Sequence, residues 1–123
     1  KFECNFVNVT VEENPSVFLK ALQGSRLGIW VAHGEGKFDF PESKEGYSVA
    51  VRYSYDSYPA NPNGSPGAVA AVTSACGRHL AMMPHPERCI YPWNWALYPA
   101  ERQSDVVSPW VSMFMEARKF CTK

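Results

Sequence analysis

His85 and Glu87 are two side chains whose types and spacing could perform acid–base chemistry. Both lie in residues 81–89, Ala-Met-Met-Pro-His-Pro-Glu-Arg-Cys, where Pro84 and Pro86 disfavour helical backbone in the residues before them. In an extended backbone, residues i and i+2 project to the same side, so the imidazole and the carboxylate can meet. A carboxylate on one ring nitrogen fixes the tautomer and makes the other nitrogen a better base. The segment therefore predicts two parts of a nucleophile–base–orienter triad.

The spacing of these residues alone leaves three interpretations of the pair open. The first is a base and its orienter that serve a thiol or hydroxyl nucleophile. The second is a metal site that adds His33, His79 or Cys89 and nearby carboxylates, although no two of these have helical or zinc-ribbon spacing. The third is structural: the prolines shape a turn, and the imidazole and carboxylate bond to the backbone.

Length and composition indicate one globular domain without a nucleic-acid or membrane partner. The 123 residues include 12 basic and 12 acidic side chains, so no surface charge favours nucleic acid or anionic lipid. The longest apolar runs are too short to cross a bilayer, and no basic-then-apolar leader opens the chain. The four cysteines lack a C-x-x-C pairing, which favours reduced thiols in a cytoplasmic protein.

Apolar periodicity predicts five strands. They are expected within residues 2–11, 27–32, 47–55, 67–73 and 79–83. The alternation changes phase near residue 6, which indicates a bulge or a change of partner strand. The continuous apolar run 27–32 favours a strand covered on both faces, as in a layered α/β sheet. Residues 74–78 are typical of the hairpin turn that joins the last two strands.

Two helices are predicted from their start and stop signals. Asn14 and Pro15 are typical of a helix start, and Gly24 is a natural end. Ser108 and Pro109 repeat the start signal near the end of the chain. The apolar face predicted for this last helix consists of Trp110, Phe114, Ala117 and Cys121. The aromatic segment 90–107 before it is more typical of a packed cover or an interface than of a ligand platform.

A polar, glycine-rich turn at residues 33–36, His-Gly-Glu-Gly, follows the predicted strand 27–32. Glycines there permit positive φ and a close approach of backbone. The carboxyl end of a buried strand is where α/β folds usually bind ligands, so the turn is a candidate binding site. The alternative is a plain turn with a histidine and a glutamate on the surface.

Four stretches, in order along the chain, resemble the class I (triad) glutamine amidotransferases. They are residues 31–36 (Val-Ala-His-Gly-Glu-Gly), 61–66 (Asn-Pro-Asn-Gly-Ser-Pro), 77–80 (Gly-Arg-His-Leu) and 82–88 (Met-Met-Pro-His-Pro-Glu-Arg). The particular form, together with the tail 108–119, is similar to the phosphoribosylformylglycinamidine synthase family of purine synthesis, in its large single-chain type. The resemblance implies an α/β fold: the C-terminal portion of a flavodoxin-like domain, with a mixed sheet and flanking helices.

The resemblance also implies roles for five residues. His85 would take the proton of a cysteine thiol that attacks the glutamine amide, and Glu87 would hold the imidazole. His33, Gly34 and Glu35 would line the glutamine pocket. No metal site and no cofactor are implied for this chain; ATP and Mg²⁺ would belong to the synthetase domain of the parent enzyme.

The chain departs from the family pattern because it contains no Gly-x-Cys-x-Gly elbow. In the family that elbow lies upstream, so residues 1–123 are expected to be a single partial domain whose partners are glutamine and the remainder of a longer chain. An exposed strand edge would also permit self-association. Two rival interpretations are a non-catalytic interaction module with a decayed site and another class I amidotransferase.

We predict that the isolated 123-residue chain has no glutaminase activity, because the nucleophile of the triad is not on it. The measurement is glutamate release from glutamine before and after thiol alkylation. A thiol-dependent signal that disappears on substitution of one of the four cysteines would contradict this prediction.

Overall fold

The structure, a computed structural model, describes residues 1–42 and 46–122. Its strands and its α-helix are, in chain order, β1 Glu3–Val11, β2 Arg26–His33, β3 Tyr47–Tyr53, β4 Val69–Ser74, β5 Leu80–Met82 and α1 Val111–Cys121. Short 3-10 helices lie in the connections at Lys20–Leu22, Pro66–Ala68, Pro86–Arg88, Pro92–Asn94 and Ala100–Arg102. All five predicted strands are therefore present.

The strands form one sheet in the order β2-β1-β3-β4-β5. β1 and β2 pair without interruption from Glu3 opposite His33 to Thr10 opposite Arg26, whereas β1 meets β3 over Val9–Val11. Each pairing in the described part of the chain is antiparallel, although the resemblance implied a mixed sheet. The reason is that successive strands here are joined by turns and loops, and a parallel pair needs a long crossover connection.

The sheet curls until its two edges meet. β2 and β5 are the outer strands of the order, yet the chain that continues from β5 forms a bridge to Trp30 of β2 at His85. The main-chain N–H of His85 donates to the carbonyl oxygen of Trp30 at 2.8 Å. Just before it, the N–H of Met83 donates to the carbonyl of Ala70 at 3.0 Å, which extends the pairing of β5 with β4.

The interior of the curled sheet is filled by branched aliphatic side chains. Val9, Val11, Ile29, Val31 and Val51 have no exposed surface. The change of phase in β1 marks no bulge, since the β1–β2 register is continuous. The change of phase arises because both faces of β1 are covered. Val7, Val9 and Val11 face the interior of the curled sheet, whereas Phe6, on the opposite face, packs against Trp30.

The helix predicted from Asn14 is replaced by turns and the short 3-10 helix Lys20–Leu22. The capping signal itself is used, because the side-chain Oδ1 of Asn14 accepts from the Ser16 N–H at 2.9 Å. A helix cannot follow because this segment joins neighbouring strands. Val11 and Ser25 are held together by a 2.9 Å main-chain bond, whereas a helix over residues 15–23 would separate its ends by about 13 Å.

α1 packs on the sheet through its first turn. Trp110, just before the helix, is fully buried and donates from Nε1 to the carbonyl oxygen of Gly28 at 2.8 Å; Met113 is also buried. Two members of the predicted apolar face, Phe114 and Cys121, are exposed instead. Within the described residues, no helix has the length and apolarity needed to cross a membrane.

Replacement of Gly77 by alanine should destabilise the fold, because the β4–β5 turn is pressed against the segment after β1. Gly77 has φ +72°, and an added Cβ would lie 2.0 Å from the carbonyl oxygen of Pro15. We expect Gly77→Ala to lower the free energy of unfolding by about 3 kcal/mol, from the left-handed backbone and the clash together. The measurement is urea denaturation followed by circular dichroism.

Gly24→Ala is the matched control, since Gly24 also has a positive φ, +79°, but its Cβ would meet no atom within 4 Å. It should cost only about 1 kcal/mol, the backbone part of the penalty. An equal decrease in the free energy of unfolding in the two variants would show that the contact between the β4–β5 turn and Pro15 does not contribute to stability.

Candidate active site

His85 and Glu87 meet as the sequence predicted. The Nδ1 atom of His85 lies 2.6 Å from Oε1 of Glu87, and the two side chains are 29% and 56% exposed. The backbone route differs from the expected extended strand: His85 has φ −109° and ψ 86°, and Pro86 then begins the 3-10 helix Pro86–Arg88. The bend after His85, rather than a straight strand, brings the carboxylate back to the imidazole.

This contact determines which ring nitrogen of His85 can act as a base. An ionised carboxylate only accepts hydrogen bonds, so a neutral imidazole beside Glu87 carries its proton on Nδ1. Nε2 then holds the lone pair, and it makes no hydrogen bond to the described residues. The pair is therefore able to receive a proton at Nε2 and to stabilise the resulting imidazolium.

Cys89, the thiol nearest the pair in sequence, is built into the core. It is fully buried, and its Sγ accepts from the main-chain N–H of Trp30 at 3.4 Å. Burial raises the pKa of the Cys89 thiol to about 11, which keeps it protonated at neutral pH. A thiol in this state is a poor nucleophile, so Cys89 cannot supply the missing part of a triad.

Cys76 is different, because it is exposed at the β4–β5 hairpin turn that the sequence predicted. Its Sγ lies 3.3 Å from Oγ of Ser74. The hydrogen bond from Ser74, aided by the main chain and charge of Arg78, lowers the pKa of the Cys76 thiol. All four cysteines are free in the structure.

The predicted pocket turn begins at His33, the last residue of β2. His33 lies three residues beyond Trp30, the β2 residue that pairs with His85. That is about 10 Å along a strand. Gly34 and Glu35 are exposed and line an open cavity of about 390 Å³, whereas Glu87 lines a separate apolar groove against α1. The structure thus brings His85 and Glu87 into contact. It places the predicted pocket turn at the end of β2, the strand that pairs with His85, but in a different cavity from the one that Glu87 lines.

Sequence reasoning gave no site role to Asn63, whose side-chain amide lies 2.6 Å from Nδ1 of His33. The turn-forming sequence at residues 61–66 was recognised, but nothing in it indicates which part of the chain it contacts. Within residues 1–42 and 46–122, no three histidine, cysteine or acidic side chains converge to form a site for a metal ion.

Comparison with known proteins identifies the family. Residues 1–121 match the CobB/CobQ-like glutamine amidotransferase domain. The chain belongs to this family. The amidotransferase resemblance inferred from the sequence is therefore confirmed, and so is the α/β fold as a portion of that domain.

Relatives and a solved structure agree with this assignment. The chain is 45% identical to the probable phosphoribosylformylglycinamidine synthase, chloroplastic/mitochondrial, of Arabidopsis thaliana and 40% identical to the phosphoribosylformylglycinamidine synthase of Homo sapiens. These alignments cover 96% and 98% of this chain but 9% and 10% of the relatives, so the chain spans about a tenth of their length. The structure of PurLQS from Thermotoga maritima matches with a TM-score of 0.69 at 27% identity, over 98% of this chain and 49% of that chain.

We predict a fixed order of thiol labelling from the environments of the cysteines. Cys76 should react with iodoacetamide fastest at pH 7, because its lowered pKa enlarges the thiolate fraction, and Cys89 should react last. Mass spectrometry of the labelled peptides gives the order, with the exposed Cys4 and Cys121 as references. Labelling of Cys89 at the rate of the exposed thiols would contradict its burial.

Proposed function

We propose that this chain is the part of a glutaminase domain that supplies a general base and its orienter. The observation that carries the proposal is the 2.6 Å contact between Nδ1 of His85 and Oε1 of Glu87. Membership of the glutamine amidotransferase family supplies the reaction in which such a pair is used. The whole protein is then a phosphoribosylformylglycinamidine synthase, a proposal supported by the names of relatives of which this chain spans about a tenth.

In the proposed reaction, Nε2 of His85 takes the proton of a cysteine thiol located upstream of this chain. The thiolate attacks the side-chain carbonyl carbon of glutamine, and the imidazolium gives its proton to the departing ammonia. Water then cleaves the thioester to release glutamate. Glu87 holds the imidazole in the reactive tautomer throughout, and His33, Gly34 and Glu35 line the glutamine pocket.

The ammonia is used elsewhere in the proposed whole protein. There, ATP with Mg²⁺ would activate the amide oxygen of formylglycinamide ribonucleotide by phosphorylation, and ammonia would displace that oxygen as phosphate to give the amidine. The protein is thus an ATP-dependent ligase with glutamine as its nitrogen donor. Residues 1–123 are one partial domain of it, with no cofactor of their own and the remainder of the longer chain as partner.

Compartment and self-association remain predictions. The four free thiols support a cytoplasmic location, while the Arabidopsis thaliana relative is named chloroplastic/mitochondrial. Strand β1 supports self-association, since its pairing with β3 is limited to Val9–Val11. The alternative of an interaction module with a decayed site is not favoured, because the base and its orienter are in contact.

The test is substitution of the pair in the full-length protein that contains this chain. His85→Ala should reduce glutamine-dependent amidine synthesis by about 100-fold or more, since general acid–base catalysis contributes roughly 10²–10⁴. Glu87→Ala should reduce it in the same direction because the tautomer is no longer fixed. Synthesis from added ammonia should be unchanged in both variants.

His79→Ala is the matched control, because His79 is also exposed and follows the same hairpin turn but lies outside the pair. It should retain both activities. Equal loss of glutamine-dependent and ammonia-dependent synthesis in His85→Ala would mean that His85 is structural, and the proposed function would fail.

A further inference from the structure

The segment between Asn61 and Ser65 is a rigid loop held by its own buried polar side chains. Asn61 and Ser65 are 1% and 2% exposed. The Asn61 amide donates to the carbonyl oxygen of Ser65 at 2.9 Å and to that of Asp56 at 3.1 Å. Its oxygen accepts from the Ser65 N–H at 3.1 Å. Two of these three bonds are buried and lie within the loop, and the third ties it to the segment just before it, so the shape of the loop is fixed by its own polar groups and by Asp56.

This loop is hydrogen-bonded to the turn that follows β2. The side-chain oxygen of Asn63 accepts from Nδ1 of His33 at 2.6 Å and from the main-chain N–H of Gly36 at 2.8 Å. Its amino group donates to the carbonyl oxygen of Pro62 at 3.1 Å. The reverse orientation of the amide would set its N–H donors against the Gly36 N–H, so the acceptor orientation is the one that pairs each group. Beside it, Oγ of Ser65 accepts from the Phe38 N–H at 3.1 Å.

One oxygen atom thus holds both ends of the two-residue segment Gly34–Glu35. His33 precedes this segment and Gly36 follows it, and the segment lines the cavity that it shares with Asn63. The fit is close, since a Cβ on Gly36 would lie 2.3 Å from the imidazole of His33. Displacement of the Asn63 side chain would release the ring and the turn together.

The same contact selects the tautomer of His33. An acceptor at Nδ1 places the proton there and leaves Nε2 with its lone pair. Nε2 is buried and has no hydrogen-bond partner among the described residues. Asn63 therefore bears to His33 the relation that Glu87 bears to His85, with a neutral amide in place of a carboxylate.

We propose that Asn63 is a positioning residue for the glutamine pocket: its side-chain oxygen holds His33 in one tautomer and sets the Gly34–Glu35 turn in the shape that receives the substrate. This inference rests on the proposed function, because the turn is the proposed glutamine pocket. It assigns to the loop 61–65 a part in substrate binding rather than in the chemical step.

The experiment compares Asn63→Leu, Asn63→Asp and the control Asn8→Leu in the full-length protein that contains this chain. Leucine keeps the size of asparagine but loses both the acceptor and the donor to Pro62, while aspartate keeps the acceptor and loses only that donor. Asn8→Leu makes the same change at an exposed position of β1. The readouts are KM and kcat for glutamine-dependent synthesis, and the rate of ammonia-dependent synthesis.

Asn63→Leu should raise KM for glutamine about tenfold, the factor expected for loss of a hydrogen bond, with kcat within about twofold of the parent value. Asn63→Asp should stay within about threefold of the parent KM, because its carboxylate accepts from the same two donors. Asn8→Leu should be indistinguishable from the parent. Ammonia-dependent synthesis should be unchanged in all three variants.

An unchanged KM in Asn63→Leu would overturn the proposal. So would a parallel fall of ammonia-dependent synthesis, which would mean a purely structural role, or an Asn63→Asp variant as impaired as Asn63→Leu, which would exclude the acceptor. Failure of the proposed function is read from a different variant: His85→Ala would then keep its glutamine-dependent synthesis, or lose it together with ammonia-dependent synthesis, whatever the KM of the Asn63 variants.

Discussion

The hydrogen bond from the His85 N–H to the carbonyl oxygen of Trp30 is the constraint on which the site depends. It joins the chain leaving β5 to the opposite edge of the sheet and so closes the curl around the aliphatic interior. Because the bond is made by the backbone of His85 itself, closure of the sheet and placement of the imidazole are a single event. The prolines on either side limit the backbone angles with which the chain can arrive.

Closure also resolves the problem of an unpaired edge. A strand edge presents free N–H and C=O groups, which invite pairing with other chains. On β2, Trp30 donates to Sγ of Cys89 and accepts from His85, and the carbonyl oxygen of Gly28 accepts from the indole of Trp110. At Gly28 and Trp30 the edge is therefore satisfied by side chains and by one main-chain bond instead of by another strand.

An aromatic layer covers the outer face of β1 and β2. The Phe6 and Trp30 rings meet edge-on at 5.0 Å, and Trp95 lies 5.9 Å from Phe6. Gly28 is required beneath them, because a Cβ there would lie 2.5 Å from the Phe6 ring. This confirms a packed cover at Trp95, whereas Tyr91 and Trp93, earlier in the aromatic segment, are exposed and stack on each other.

β2 thereby organises both parts of the candidate site. It carries Trp30, which receives His85, and it ends in His33, which Asn63 holds. Each histidine is fixed through Nδ1 by an oxygen acceptor, and each is left with Nε2 as the unprotonated nitrogen. The two acceptors differ in charge: the carboxylate of Glu87 is suited to stabilise an imidazolium at His85, whereas the neutral amide of Asn63 is suited to hold a neutral imidazole at His33.

Local features of this protein could be predicted from short stretches of its amino-acid sequence. The i, i+2 spacing of His85 and Glu87 on either side of Pro86 was enough to predict their contact, apolar periodicity predicted the five strands, and four short stretches identified the family. These inferences succeed because each depends on backbone geometry over a few residues.

Features that depend on segments far apart in the chain became visible in the folded structure alone. The capping signal at Asn14 was genuine, but the hairpin geometry of β1 and β2 left no room for a helix. Burial at the closed edge made Cys89 a core thiol, and the approach of residues 61–65 to His33 created a contact across 30 positions. Local propensities carry no information about which segments the curl of the sheet brings together. For that reason, the closure of the sheet and the contact of Asn63 with His33 and Gly36 could be read only from the fold.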